Sequence, residues 1–192
     1  MSKKLIIFGG PLGVGKSTIM KEILNDKELN SVEILNTTTR KPRDIETAGV
    51  DRHFTTVEKF EEMIKSGEMI EWIKFEGNGQ YYGVESNEIH SKLETHDFGV
   101  IDAMADGLKI FKEVLPKEGI KMKSIFIKHP SKEVLEQRIR DRGTENEEEI
   151  QKRVSMTESY LKYEDMHDYT VVNDNLETAV AEAKEIIKKI IA

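Results

Sequence analysis

Gly10-Pro11-Leu12-Gly13-Val14-Gly15-Lys16-Ser17 is a complete G-x-x-x-x-G-K-[ST] stretch, preceded by the apolar run Leu5-Ile6-Ile7-Phe8 and followed by an amphipathic segment from Thr18 to Leu24. Strand, glycine loop and helix in that order are the setting in which this pattern cradles phosphate. The glycines let backbone N–H groups curl around phosphate oxygens, and the helix N-terminus favours negative charge. Lys16 is expected to reach the outer phosphates and the Ser17 hydroxyl to ligate Mg2+. Gly10, Pro11, Gly13, Val14, Gly15, Lys16, Ser17 and Thr18 therefore form the expected nucleoside triphosphate site. A glycine-rich turn that merely carries a lysine is the plainer reading, and the flanking elements argue against it.

Around this loop, short β-type runs alternate with helical ones. Leu5–Phe8, Val32–Asn36, Phe98–Asp102, Ile120–Lys128 and Tyr169–Asn173 are the expected strands. The clearest helical repeat is C-terminal, with Leu176, Ala179, Val180, Ala183, Ile187 and Ile190 spaced by threes and fours. This alternation predicts an α/β fold with a central, mainly parallel five-stranded sheet flanked by helices. Residues 37–96 interrupt it. There a polar loop, Arg40–Arg52, precedes a helix near Val57–Lys65 and a hairpin, Met69–Phe75 with Tyr81–Val84, turning at Asn78-Gly79. That segment reads as an inserted mixed lobe. Asp141–Glu149, acid-rich and flanked by arginines, separates two helices that begin near Ser131 and end near Glu164, and reads as part of a lid.

At 192 residues the chain is long enough for one domain with a proper core. A formal net charge of −7 with 34% charged residues argues against a broad nucleic-acid-binding face. The absence of cysteine excludes disulfides and thiolate metal sites. The N-terminal apolar run is too short for a signal peptide and no later run is long enough to span a membrane, so a cytoplasmic location is the expectation. Oligomeric state stays open.

Two basic clusters bear on chemistry. Thr37-Thr38-Thr39-Arg40-Lys41-Pro42-Arg43 sets two guanidinium groups three residues apart around a proline, which suits a second phosphate site. A solvated basic loop has the same spacing. Arg138, Arg140, Arg142 and Arg153 gather about the lid, where arginines can neutralise a phosphoryl group in transit. Arg138 and Arg142, at i and i+4, also fit a solvated helix face.

These residues, taken together, resemble the guanylate kinase family from end to end. The likeness includes the P-loop, Thr38-Thr39-Arg40-x-Pro42-Arg43, Glu46, Gly49-x-Asp51, Phe60, Glu71-Trp72 with Phe75, Gly77-Asn78, Tyr81-Tyr82-Gly83, Asp102, Arg142-Gly143-Thr144-Glu145, Arg153 and Val172-Asn173-Asp174, with Gly79-Gln80 as a two-residue insertion. The resemblance implies a P-loop nucleoside monophosphate kinase with core 1–36 and 97–192, an acceptor lobe at about 37–96 and a lid at about 138–155. It implies ATP and GMP as substrates with Mg2+, and no nucleic-acid or membrane partner. By the same resemblance Arg40, Arg43 and Tyr82 hold the acceptor 5′-phosphate and Glu71 faces guanine, accepting from N1–H and the N2 amino group. Lys16, Arg142 and Arg153 clamp the moving phosphoryl group, Asp102 orients the metal's waters, and Asn173 touches the adenine.

The sequence departs from the family around the acceptor. Asp51-Arg52-His53-Phe54 lacks a tyrosine expected on the acceptor phosphate, for which Arg52 is the charged replacement; Asn36 and Val84 stand where hydroxyl residues are usual; Met104 replaces a second acid. An altered acceptor, or a non-catalytic binding module of this family, therefore stand as alternatives to GMP phosphorylation.

Overall fold

The computed structural model describes residues 3–11, 13–42, 46–75, 79–141 and 146–192, without the side chains of residues 149, 152, 153, 156 and 158. Strand β1 (Lys4–Gly9) runs into the glycine loop, and α1 (Lys16–Leu24) leaves it. Leu5, Ile6, Ile7 and Phe8 have no solvent exposure, as expected of a central parallel strand covered on both faces. With β2 (Ser31–Glu33), β7 (Phe98–Asp102), β8 (Lys121–Lys128) and β9 (Tyr169–Val172) it forms a five-stranded sheet in the order β2-β7-β1-β8-β9. The pairs β2–β7 and β8–β9 are parallel. The expected fold class holds. The second strand is shorter than the apolar run suggests, because Leu35 gives its N–H to the Glu88 carboxylate at 2.8 Å instead of to a strand.

By main-chain contacts the chain divides into two compact units. One comprises residues 1–5, 30–101 and 106–122; the other comprises 6–29, 102–105 and 123–192.

The first unit contains a mixed four-stranded sheet in the order β4-β3-β6-β5, from β3 (Thr37–Thr38), β4 (His53–Phe54), β5 (Met69–Lys74) and β6 (Tyr81–Glu85). Strands β3 and β4 pair parallel; β6 runs antiparallel to β3 and to β5. The polar stretch beyond Arg40 thus ends in a strand, and the threonines before it form another, fully buried at Thr37 and Thr38. Helix α2 (Val57–Ser66) starts at Thr56, whose hydroxyl accepts from Lys59 N–H at 3.2 Å, and stops at Gly67 in the left-handed region, φ 77°. It buries Phe60, which stacks on Tyr81 with centroids 5.1 Å apart. Helix α3 (Ser86–Lys92) follows β6, and α4 (Ala105–Val114) follows β7. Of the expected hairpin turn, Asn78 lies outside the described residues.

In the second unit α5 (Lys132–Asp141) and α6 (Glu147–Leu161) bury Leu135, Ile139, Ile150 and Val154 against each other. The irregular stretch between them is shorter than expected, since Asp141 and Glu147 to Glu149 are helical. Helix α7 (Leu176–Ile191) is capped by Asn175 and buries Ala179, Ala183, Ile186 and Ile187; Leu176, part of the expected apolar stripe, is exposed. Among the described residues no helix is long and apolar enough to cross a membrane.

Candidate active site

Gly10, at φ 131°, adopts a backbone that L side chains avoid, and a Cβ there would meet the Ile127 carbonyl oxygen at 2.2 Å. Gly15, at φ 95°, is the cap of α1, which has no side-chain capping bond, so its first-turn N–H groups carry no side-chain acceptor. The loop is thereby turned into a concavity of backbone donors, the geometry that holds phosphate. Lys16 Nζ donates to the carbonyls of Gly10 at 2.7 Å and Pro11 at 2.8 Å. Burial pulls its ammonium below the ordinary lysine range, while the nearby Asp102 carboxylate works in the opposite direction. Ser17, Thr18 and Gly13 are exposed and Val14 is buried; Leu12 lies outside the described residues.

Asn173, buried at the end of β9, donates from Nδ2 to the Val14 carbonyl at 2.8 Å. Arg138 then holds that strand end, donating from Nη1 to the Asn173 carbonyl at 2.7 Å and from Nη2 to the Asp174 carbonyl. Arg140 forks onto Glu147 and also meets Glu136 at 2.7 Å, joining α5 to α6 at the surface. Arg138 and Arg140, two of the four clustered arginines, are therefore engaged in structural contacts. Arg142 lies outside the described residues, as does the side chain of Arg153, whose backbone is in α6.

In the other unit, strand register gathers the acceptor candidates on one sheet face. Residues opposite each other share a face and alternate along the strand. Glu71 pairs with Val84, Ile73 with Tyr82, Tyr82 with Thr38, and Thr38 with Phe54. Arg52 stands just before β4 and bridges to Ala48, outside this register. Glu71 reaches this face because β5 bulges between Met69 and Glu71, which makes Ile70 an extra residue. The Arg40 guanidinium lies over the Phe54 ring, 5.6 Å from its centroid. It grips Glu46 through both Nη atoms at 2.7 and 2.6 Å, gives Nη1 to the Lys41 carbonyl at 3.0 Å, and hydrogen-bonds Tyr82. The structure thus brings Arg40, Tyr82 and Glu71 together on one face. Arg43 lies outside the described residues.

Glu71 is only 8% exposed, and no hydrogen bond or charge among the described residues offsets its burial, which pushes its carboxyl up to about 7. Val84 opposite is fully buried, so it dries the carboxylate where a hydroxyl residue is usual. Asn36 is half-buried and its carbonyl accepts from His53 N–H at 3.0 Å; Met104 is exposed just ahead of α4. The grip of Glu46 on Arg40 and the bond from Asn173 to the Val14 carbonyl are contacts that spacing did not reveal.

A phosphate-cradling loop after the first strand of a parallel sheet defines a P-loop nucleotide-binding protein of the α/β class. A sequence profile of the guanylate kinase family matches residues 2–190. The guanylate kinase of Prochlorococcus marinus subsp. pastoris is 38% identical over 186 residues, 97% of this chain and 97% of its own length. That of Clostridioides difficile is 39% identical over 183 residues, 95% of this chain and 86% of its own. The guanylate kinase crystal structure from Anaplasma phagocytophilum shares the fold, with a TM-score of 0.73 at 23% identity over 98% of this chain and 86% of that one. This chain belongs to the guanylate kinase family.

Proposed function

We propose that this chain is a nucleoside monophosphate kinase that converts GMP to GDP with ATP as phosphoryl donor. The observation that carries the reading is Glu71, a buried carboxyl with no hydrogen-bond partner among the described residues, on the face that also holds Tyr82 and the Arg40 site. Ionised, it accepts two parallel hydrogen bonds, and guanine presents N1–H and an N2 amino group side by side while adenine does not. Family membership favours GMP over an altered acceptor and over a non-catalytic module.

A GMP phosphate oxygen attacks the γ-phosphorus of ATP; the new P–O bond forms as the bond to the bridging oxygen breaks, and ADP leaves. No protein nucleophile takes part, so catalysis consists of alignment and charge neutralisation. Arg40, Arg43, Arg52 and Tyr82 bind the acceptor phosphate, and the loop from Gly10 to Thr18 wraps the donor phosphates. Lys16, Arg142 and Arg153 neutralise the transferring group. Asn36 borders the acceptor, and Asn173 supports the donor side by fixing the loop at Val14. The exposed Ser17 and the carboxylate of Asp102 are hard oxygen donors of the kind Mg2+ prefers, and among the described residues no cluster of three or more His, Asp or Glu competes with phosphates and water for the ion. When bound, Mg2+ screens the donor phosphate charge. Residues 37–96 are the acceptor lobe and 138–155 the lid.

The test is ATP consumption with GMP, dGMP, IMP, AMP, CMP and UMP in the presence of Mg2+. Preference for GMP or dGMP is expected; activity with another acceptor only, or none, overturns the reading.

A further inference from the structure

We propose that Glu46 is a positioning residue for the acceptor phosphate: it fixes the Arg40 guanidinium plane so that one edge of the fork, beside Tyr82, remains available to the anion. The inference rests on the GMP reading and deepens its phosphate site.

A guanidinium carries five N–H donors in a rigid plane. Two are given to Glu46, at 2.7 Å from Nη1 and 2.6 Å from Nη2, and one to the Lys41 carbonyl at 3.0 Å. Among the described residues the two donors not given to these partners are Nε–H and the second Nη2–H, which lie on the same edge. That edge is left for Tyr82 and for a phosphate. Both partners of the ion pair are largely buried, with side chains 15% and 12% exposed, and Phe54 lies under the guanidinium at 5.6 Å. The plane is therefore held by a carboxylate fork at one end and an aromatic ring beneath. Without Glu46 the guanidinium can turn, and its anion-facing edge must be reordered each time an acceptor binds.

The experiment is a double-mutant cycle on the full chain, read as KM for GMP, KM for ATP and kcat, with Arg40→Ala, Glu46→Gln and both together. Glu46→Gln cannot accept from both Nη atoms, since its amide nitrogen is a donor. It is expected to raise KM for GMP about tenfold, the equivalent of one charge-assisted hydrogen bond, with kcat at saturating GMP and KM for ATP nearly unchanged. In the Arg40→Ala background the same change is expected to do nothing further. Glu46→Asp, which keeps both oxygens, should fall between, and it takes the place of the Gln variant in the cycle if that variant fails to fold. Additive losses overturn the proposal, because they mean that Glu46 acts on the loop and not through Arg40; so does an unchanged KM for GMP in either single variant. Failure of the GMP reading shows separately, as absence of GMP turnover by the unmodified chain.

Discussion

The Asn173 side-chain amide donates to the Val14 carbonyl at 2.8 Å, across 159 positions of sequence. A strand end on one side of the sheet is thereby fastened to the loop that cradles the donor phosphates, and Arg138 fastens the strand end in turn. The loop's shape depends on a residue far from the motif that names it.

Asn173→Ala leaves the Val14 carbonyl without this donor. The expected cost is about 1–3 kcal/mol of stability, with a raised KM for ATP and little change in KM for GMP. Urea unfolding and steady-state kinetics check both; an unchanged KM for ATP would show that the loop keeps its shape unaided.

Lys16→Ala removes the loop's cation. Because among the described residues Nζ is bonded to loop carbonyls and not to a core network, the fold is expected to survive while kcat falls by about a hundredfold or more. Circular dichroism and single-turnover rates separate the two effects.

Glu71 sets a pH dependence whose sign follows from its carboxyl lying near 7 in the fold. The unfolded carboxyl titrates near 4.3, so between about 4.3 and 7 the folded state holds a proton that the unfolded state has lost. Stability from this group is thus complete below that window and declines through it as pH rises, by up to about 4 kcal/mol. GMP recognition runs the other way, since only the carboxylate accepts two hydrogen bonds. KM for GMP is expected to fall as pH rises through 7, and Glu71→Gln to abolish that step. A pH profile of the variant that still shows it would place the titrating group elsewhere.

Arg138 and Arg140 look alike in sequence and differ in consequence. Arg138→Gln strips two main-chain carbonyls of their donors and should lower stability by about 1–3 kcal/mol. Arg140→Gln breaks solvent-exposed ion pairs with Glu136 and Glu147, so the melting midpoint should hardly move. Thermal melts of the two variants side by side decide it.

What the sequence made legible was whatever rests on local pattern. The run Leu5–Phe8 and the glycine loop announce strand and cradle, because burial on both faces and positive φ each demand particular residue types. Thr37–Thr38 and His53–Phe54 were not read as strands: each is two residues long, too short for any period, and they are strands only because they find each other and β6. The duties of Glu46, Arg138 and Asn173 were hidden for a related reason. Each acts on a partner that the fold, and not the spacing, brings near.

The bulge at Ile70 makes acceptor recognition a matter of parity. In an unbroken strand Glu71 would share the face of Met69, away from Tyr82 and Val84; one supernumerary residue reverses that. Removing Ile70 itself would leave Met69 and Glu71 as successive residues on opposite faces and the carboxyl on its present side, whereas flattening the bulge with every residue kept would carry it to the other. By contrast Gly79, ahead of Tyr81, has φ 67° and open space where a Cβ would stand. Over this short hairpin, pairing register decides the face of a side chain at one end, while the other end has room at Gly79.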